Sequence, residues 1–235
     1  MFAVPAVLCA VAGLAIWLVL QNAGPSGTRA TRTASAPGRR ITASAAADSS
    51  PTATASPSPS PATPSATSPP PVIHGSSVTA IGDSVLVAST PALEHALPGI
   101  YINAAVSRQF SVGLQVLATL KAEGALRPVV IFALGTNGTV TSDEIAQLYS
   151  LIGPGRRLVL VNTYEARSWE YEVNSTLARA ARQHANTVLA NWHAMISRHT
   201  NLLWPDEIHP EPAGAVLYAK MIKAALVRLA ARSAD

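Results

Sequence analysis

The chain has 235 residues, of which 49% are hydrophobic and 13% charged, with a formal net charge of +4 and a pI near 9.6. Four basic residues (Arg29, Arg32, Arg39, Arg40) but one acid (Asp48) precede residue 77, leaving thirteen basic against twelve acidic side chains after it. That near balance, without a basic stripe interleaved with aromatics, speaks against nucleic acid as a partner, and the single Cys9 excludes an internal disulfide or a cysteine metal site.

Phe2 to Leu20 is nineteen positions without a charged side chain, close to the roughly 20 that a helix needs to cross a membrane. Residues 1–23 are therefore expected to be a single transmembrane anchor. The rival is a cleaved signal peptide, but Met1 to Pro5 carries no Lys or Arg and Gln21-Asn22-Ala23 is a poor cleavage site. Cys9 lies too near the start for a lipoprotein signal and reads as a small apolar residue.

Residues 24–76 are rich in Ser, Thr, Ala and Pro, with Ser56-Pro57-Ser58-Pro59-Ser60-Pro61 at the centre and Pro69-Pro70-Pro71 near the end. Such a stretch cannot bury a core and is expected to be a disordered, extended linker that could hold a domain as much as ~150 Å from the membrane. The four arginines after the span favour a cytoplasmic C-terminus. The stalk favours an extracytoplasmic one, and we weight the stalk, because only Arg29 and Arg32 lie close to the span.

From residue 77 to 235, short β-branched runs alternate with helical patterns. Strands are expected at Val78 to Ile81, Ile100 to Asn103, Val129 to Leu134, Leu158 to Asn162 and Thr187 to Ala190. Helices are expected at Pro91 to Leu97, Gln109 to Glu123, Ser142 to Leu151, Glu172 to His184 and Pro212 to Arg232. This alternation predicts an α/β fold, a three-layer α/β/α sandwich with a central parallel sheet. Val129-Val130-Ile131-Phe132 is apolar at every position, as a strand covered on both faces requires. Leu217, Met221, Ile222, Ala225 and Leu229 mark the core-facing stripe of the last helix, and Pro212 suits its first turn.

Three motifs carry chemistry. Gly82-Asp83-Ser84 ends the first strand, where a sharp turn into a helix would present the Ser84 hydroxyl near unpaired N–H groups; Ser84 as a helix N-cap is the plainer alternative. Gly135-Thr136-Asn137 ends the third strand on the same edge, so Asn137 could donate to an oxyanion, or simply form an Asn-Gly turn. Asp206-Glu207-Ile208-His209-Pro210 offers His209 as a base for Ser84 and Asp206 as the acid orienting it, with Glu207 the less suitable acid. His74, His95, His184, His193 and His199 show no helical i, i+4 pair, so no metal is expected. His193 and His199 are expected in a loop or at helix edges.

In this order, Gly82-Asp83-Ser84, Gly135-Thr136-Asn137 and Asp206-x-x-His209 resemble the SGNH (GDSL-like) hydrolase superfamily, over about Ser77 to Ala231. Val106-Ser107-Arg108-Gln109 and Leu134-Gly135-Thr136-Asn137-Gly138 further resemble the extracytoplasmic SGNH domains of acyltransferase-3 proteins, a branch that includes peptidoglycan O-acetyltransferases. The resemblance implies a flavodoxin-like fold, no cofactor, Ser84 as nucleophile, His209 as base, Asp206 as its orienter, and Asn137 with the Ser84 N–H as oxyanion donors. Superfamily members add a donor from a second-motif glycine. No Gly occurs between Tyr101 and Val112, which leaves a backbone N–H near Ser107 as the substitute. Arg108 and Gln109 become candidates for substrate contact or for structural hydrogen bonds.

The expected function is transfer or removal of a small O-acyl group, acetyl, on a cell-envelope glycan. A separate membrane protein delivering the acyl donor is the partner that transfer would need. A general carboxylesterase and a catalytically idle glycan-binding or scaffolding module are the alternatives.

Overall fold

A computed structural model describes residues 72–232. The anchor expected at 1–23 and nearly all of the expected linker lie outside the described residues. Among the described residues no helix is long and apolar enough to cross a membrane.

Five strands, β1 (Val78–Gly82), β2 (Tyr101–Ala104), β3 (Val129–Ala133), β4 (Arg157–Val161) and β5 (Thr187–Ala190), form one parallel sheet in the order β2-β1-β3-β4-β5. The central strands β1 and β3 are buried at every position, because helices cover both faces and an alternating polar pattern would place polar groups in a core. Odd and even residues serve different faces: Val129, Ile131, Val159 and Val161 enter one core, and Val130, Phe132, Leu158 and Leu160 the other. The first core is closed by α1 (Ser84–Ala96), α5 (Trp192–Ile196) and α6 (Pro212–Ala231), the second by α2 (Phe110–Ala122), α3 (Ser142–Ile152) and α4 (Glu170–Gln183). The result is the expected three-layer sandwich.

Strand order reverses between β1 and β3, and in open parallel sheets the crevice at such a switch, beyond the carboxyl ends of the strands, is where ligands bind. Gly82 is level with Ala104 on β2 and Ala133 on β3, so the three turns that follow leave the sheet at one height. They carry Ser84, Ser107 and Asn137.

Most expected elements occur within one or two residues of their expected ends, and two differ in kind. The first helix begins at Ser84, not Pro91. Ser89-Thr90-Pro91 imitates a cap followed by a first-turn proline, whereas Pro91 lies inside α1 and Asp83 is the cap, its Oδ1 accepting from Val85 N at 3.0 Å. The short helix α5 was not expected. It is capped by Asn191, whose Oδ1 accepts from Ala194 N at 2.9 Å, and it places His193 in a helix that also buries Trp192.

The described residues include the end of the stretch read as linker. Gly75–Ser77 forms a 3-10 turn, and Arg127 Nη1 donates to Gly75 O at 3.3 Å. Gly75 is buried against Leu97 and Pro98, where a Cβ would lie 2.4 Å from Leu97 O. In the α6 stripe, Met221, Ile222, Ala225 and Leu229 are buried, while Leu217 packs at the core margin.

Candidate active site

Ser84 is the first residue of α1, so its N–H belongs to the helical first turn, which has no acceptor within the helix. Its side chain is 9% exposed, and Ser84 Oγ lies 2.8 Å from His209 Nε2. On the other side of the ring, His209 Nδ1 lies 2.7 Å from Asp206 Oδ2. An ionised carboxylate only accepts, so Nδ1 carries the proton and Nε2 is left to accept from the Ser84 hydroxyl.

Asp206 also builds its own loop: Oδ1 accepts from Ile208 N and His209 N, each at 3.0 Å. Partial burial would raise the Asp206 pKa, but these two N–H donors and the His209 ring pull it down to about 2. Glu207 is exposed with φ 59° and makes no bond to the His209 ring, so of the two candidate acids Asp206 is the one in contact.

Asn137 and the Ser107 turn meet directly. Asn137 Nδ2 donates to Arg108 O at 3.3 Å, which occupies one of the two amide hydrogens and leaves the other. Ser107 has φ 58°, a left-handed conformation that glycine adopts most easily. Ser107 thus holds the Val106–Arg108 turn in a backbone shape that a glycine would take without strain. Gly135, at φ +136°, precedes Asn137 where a Cβ would lie 2.7 Å from Val173.

Arg108 makes structural hydrogen bonds. Its Nη1 donates to Gly82 O at 3.2 Å and Asn103 O at 2.6 Å, and its Nη2 to Asn103 Oδ1 at 2.8 Å, clamping the Ser107 turn to the turn that carries Ser84. Gln109 is the exposed cap of α2 and makes no side-chain cap bond.

Two acids are buried in a way that the sequence did not signal, Asp83 inside the first motif and Glu165 outside every motif. Asp83 is 1% exposed, and burial raises its pKa from 3.8 to about 6 against the opposing effects of Val85 N–H, Thr136 and His209. Glu165, in the turn after β4, is 2% exposed; burial raises its pKa from 4.5 to about 7 although Trp169 Nε1 donates to its Oε1 at 3.0 Å. Nearby, His193 Nε2 lies 3.3 Å from Glu170 Oε1. Among the described residues no cluster of three or more His, Cys, Asp or Glu could hold a metal.

No protein-family model matches the chain. It is 33% identical over 158 residues to the peptidoglycan O-acetyltransferase OatA of Listeria monocytogenes, covering 67% of this chain and 25% of that protein. It is also 33% identical over 156 residues to YrhL of Bacillus subtilis, covering 66% of this chain and 24% of that protein. The chain therefore spans about a quarter of the length of these curated relatives.

Among solved structures, the C-terminal catalytic domain of Streptococcus pneumoniae OatA, carrying a methylsulfonyl adduct, matches with a TM-score of 0.58 and 27% identity over 63% of this chain and 91% of that one. A member of the lipolytic G-D-S-L family from Veillonella parvula matches in fold, with a TM-score of 0.52 and 14% identity over 61% and 94% of the two chains. With a flavodoxin-like strand order and three strand-end motifs converging on one crevice, the chain carries an SGNH (GDSL-like) hydrolase domain, similar to the catalytic domain of peptidoglycan O-acetyltransferases.

Proposed function

We propose that the chain is an SGNH serine enzyme that moves a small acyl group, acetyl, onto or off a hydroxyl of a cell-envelope glycan, peptidoglycan being the acceptor that its relatives' names suggest. One observation carries the reading: the continuous relay from Ser84 Oγ through His209 to Asp206, at 2.8 and 2.7 Å.

In this mechanism Ser84 Oγ attacks the acyl carbonyl carbon while His209 Nε2 takes the hydroxyl proton. The carbonyl oxygen becomes an oxyanion, for which the Ser84 N–H, the free Asn137 amide hydrogen and a backbone N–H at the Ser107 turn are the donors. As the tetrahedral intermediate collapses, the bond to the donor alcohol breaks, and that alcohol leaves with the proton from His209. Acyl-Ser84 remains. A sugar hydroxyl then gives its proton to His209 and attacks the acyl carbon, releasing the acetylated glycan and restoring Ser84. Water in place of the sugar makes the same site an esterase.

The full proposal places this domain outside the cytoplasm, with residues 1–23 as the anchor and the Pro/Ser/Thr-rich segment after them as a spacer reaching into the wall. The acetyl donor would come from a separate membrane protein. Incubation with an acetyl ester donor and glycan oligomers, followed by mass measurement of the products, tests the reading. Acetylated oligomer is expected from the wild type and none from Ser84→Ala. Free acetate alone would assign the esterase, and full activity in Ser84→Ala would remove the mechanism.

A further inference from the structure

Trp204 stands out among the tryptophans of the described domain. Trp192 is 1% exposed within the first core, and Trp169 is bonded to Glu165, but Trp204 is 50% exposed. Among the described residues no ring or cation stacks on it and its indole N–H has no acceptor. Tryptophan is enriched at binding surfaces, where its broad apolar ring and its N–H can both find partners.

Its position on the catalytic loop fixes where that face lies. Leu203 and Pro210 form an antiparallel bridge, closed by Trp204 N to His209 O and Glu211 N to Leu202 O, both at 2.9 Å. Leu203 and Pro210 are both buried. Side chains alternate across such a pair, so the next pair inward, Trp204 and His209, emerges together on the opposite side. Trp204 O also accepts from Glu207 N at 2.9 Å, which pins the backbone at the tryptophan. The indole is therefore held on the same side of the loop as the imidazole that reaches Ser84.

We infer that Trp204 is a stacking platform for a pyranose ring of the glycan acceptor, holding one sugar beside the Ser84–His209 pair. A pyranose pairs an apolar C–H face with equatorial hydroxyls, and an indole answers with an apolar, electron-rich face and a free N–H donor. Asp206, Glu207 and Glu211 on and beside this loop disfavour an anionic ligand, whereas an uncharged sugar meets no such repulsion. An acetyl group is too small to cover the ring. The inference rests on the glycan reading above and adds the residue that recognises the sugar.

The test is titration of the full chain with a β-1,4-linked N-acetylglucosamine tetramer, for the wild type, Trp204→Ala, Trp204→Phe and Tyr171→Ala. Tyr171 is an 85% exposed aromatic in the first turn of α4, outside the catalytic loop, and serves as the control for general stickiness. The wild type is expected to bind, Trp204→Ala to bind about tenfold more weakly, Trp204→Phe to recover most of the loss, and Tyr171→Ala to match the wild type. Absence of wild-type binding, equal binding by Trp204→Ala, or an equal loss in Tyr171→Ala overturns the inference. A preference for octanoyl over acetyl esters that disappears in Trp204→Ala also overturns it, by assigning the indole to an acyl chain. Tetramer that binds through Trp204 but is never acetylated strikes the transfer reading alone; tetramer acetylated without regard to Trp204 strikes this one alone.

Discussion

Residue by residue, the site divides labour according to burial. Asp206 is half exposed yet held ionised by hydrogen bonds, with its pKa drawn down to about 2, so it can orient His209 well into acid conditions. Asp206→Asn keeps the shape but can donate to Nδ1, which favours the wrong tautomer. Hydrolysis of a soluble acetyl ester should fall about 10²- to 10⁴-fold with little change in KM. Asn137→Ala should cost about 10²- to 10³-fold in kcat if its free amide hydrogen meets the oxyanion, and steady-state kinetics on the same ester check both.

Glu165 acts in the opposite direction on stability. Its folded pKa, about 7, lies above its ordinary 4.5, so between those values the native state holds more proton than the unfolded one and stability rises as pH falls. Asp83, raised from 3.8 to about 6, has the same sign. Asp206 has the reverse sign, its contribution being lost as pH drops from 3.8 towards 2. Glu165→Gln keeps an acceptor for Trp169 without a charge. Thermal unfolding at pH 8 and pH 5 should show the variant several degrees more stable than wild type at the higher pH and nearly equal at the lower, since each kcal/mol is worth about 2–4 °C in a domain of this size.

At the scale of elements, helix α6 and the catalytic loop are joined through glycine. A Cβ on Gly214, in the first turn of α6, would lie 2.4 Å from Leu202 O, a backbone atom that already accepts from Glu211 N and cannot yield without moving the bridge that supports Trp204 and His209. Gly214→Ala should therefore lower stability by about 1–3 kcal/mol and also lower ester turnover. Gly155→Ala, where no atom lies within 4 Å, should change neither. Unfolding curves beside ester kinetics separate the two.

At this scale the strands and most helices were legible in the sequence. The five strands could be read because each is an apolar run closed by a turn, and α3 began where expected because Thr141 and Glu144 form a reciprocal capping box. The turn into a helix at Ser84 was legible, but the helix was expected only from Pro91, whereas the cap at Asp83 starts α1 at Ser84. Ser84, Asn137, Asp206 and His209 were legible as strand-end and loop motifs. Their supports were not, because each support is a contact across the fold: Arg108 reaches back 26 residues to Gly82 O, and Asn162 Oδ1 accepts from His193 N 31 residues away. Burial of Glu165 likewise has no periodic signature. Whether a charge is buried depends on the elements that close over it.

For the whole molecule, the decisive point is that both cores close within residues 72–232. The first draws on α1, α5 and α6 and the second on α2, α3 and α4, and every strand has its partners within that span. A domain so built is expected to fold without residues 1–71. The proposed anchor and spacer would then set where the enzyme works and leave its chemistry unchanged. Introducing a specific protease site near Ala66 tests this division. Before cleavage the full chain should sediment with membranes. Afterwards a fragment beginning near residue 67 should appear in the soluble fraction with the same melting temperature and the same kcat/KM on an acetyl ester, while acetylation of intact wall falls because the enzyme is no longer held beside its donor and acceptor. A cleaved fragment that stays with the membrane would place the attachment in the domain itself. One that loses ester turnover would show that residues before 67 complete the site.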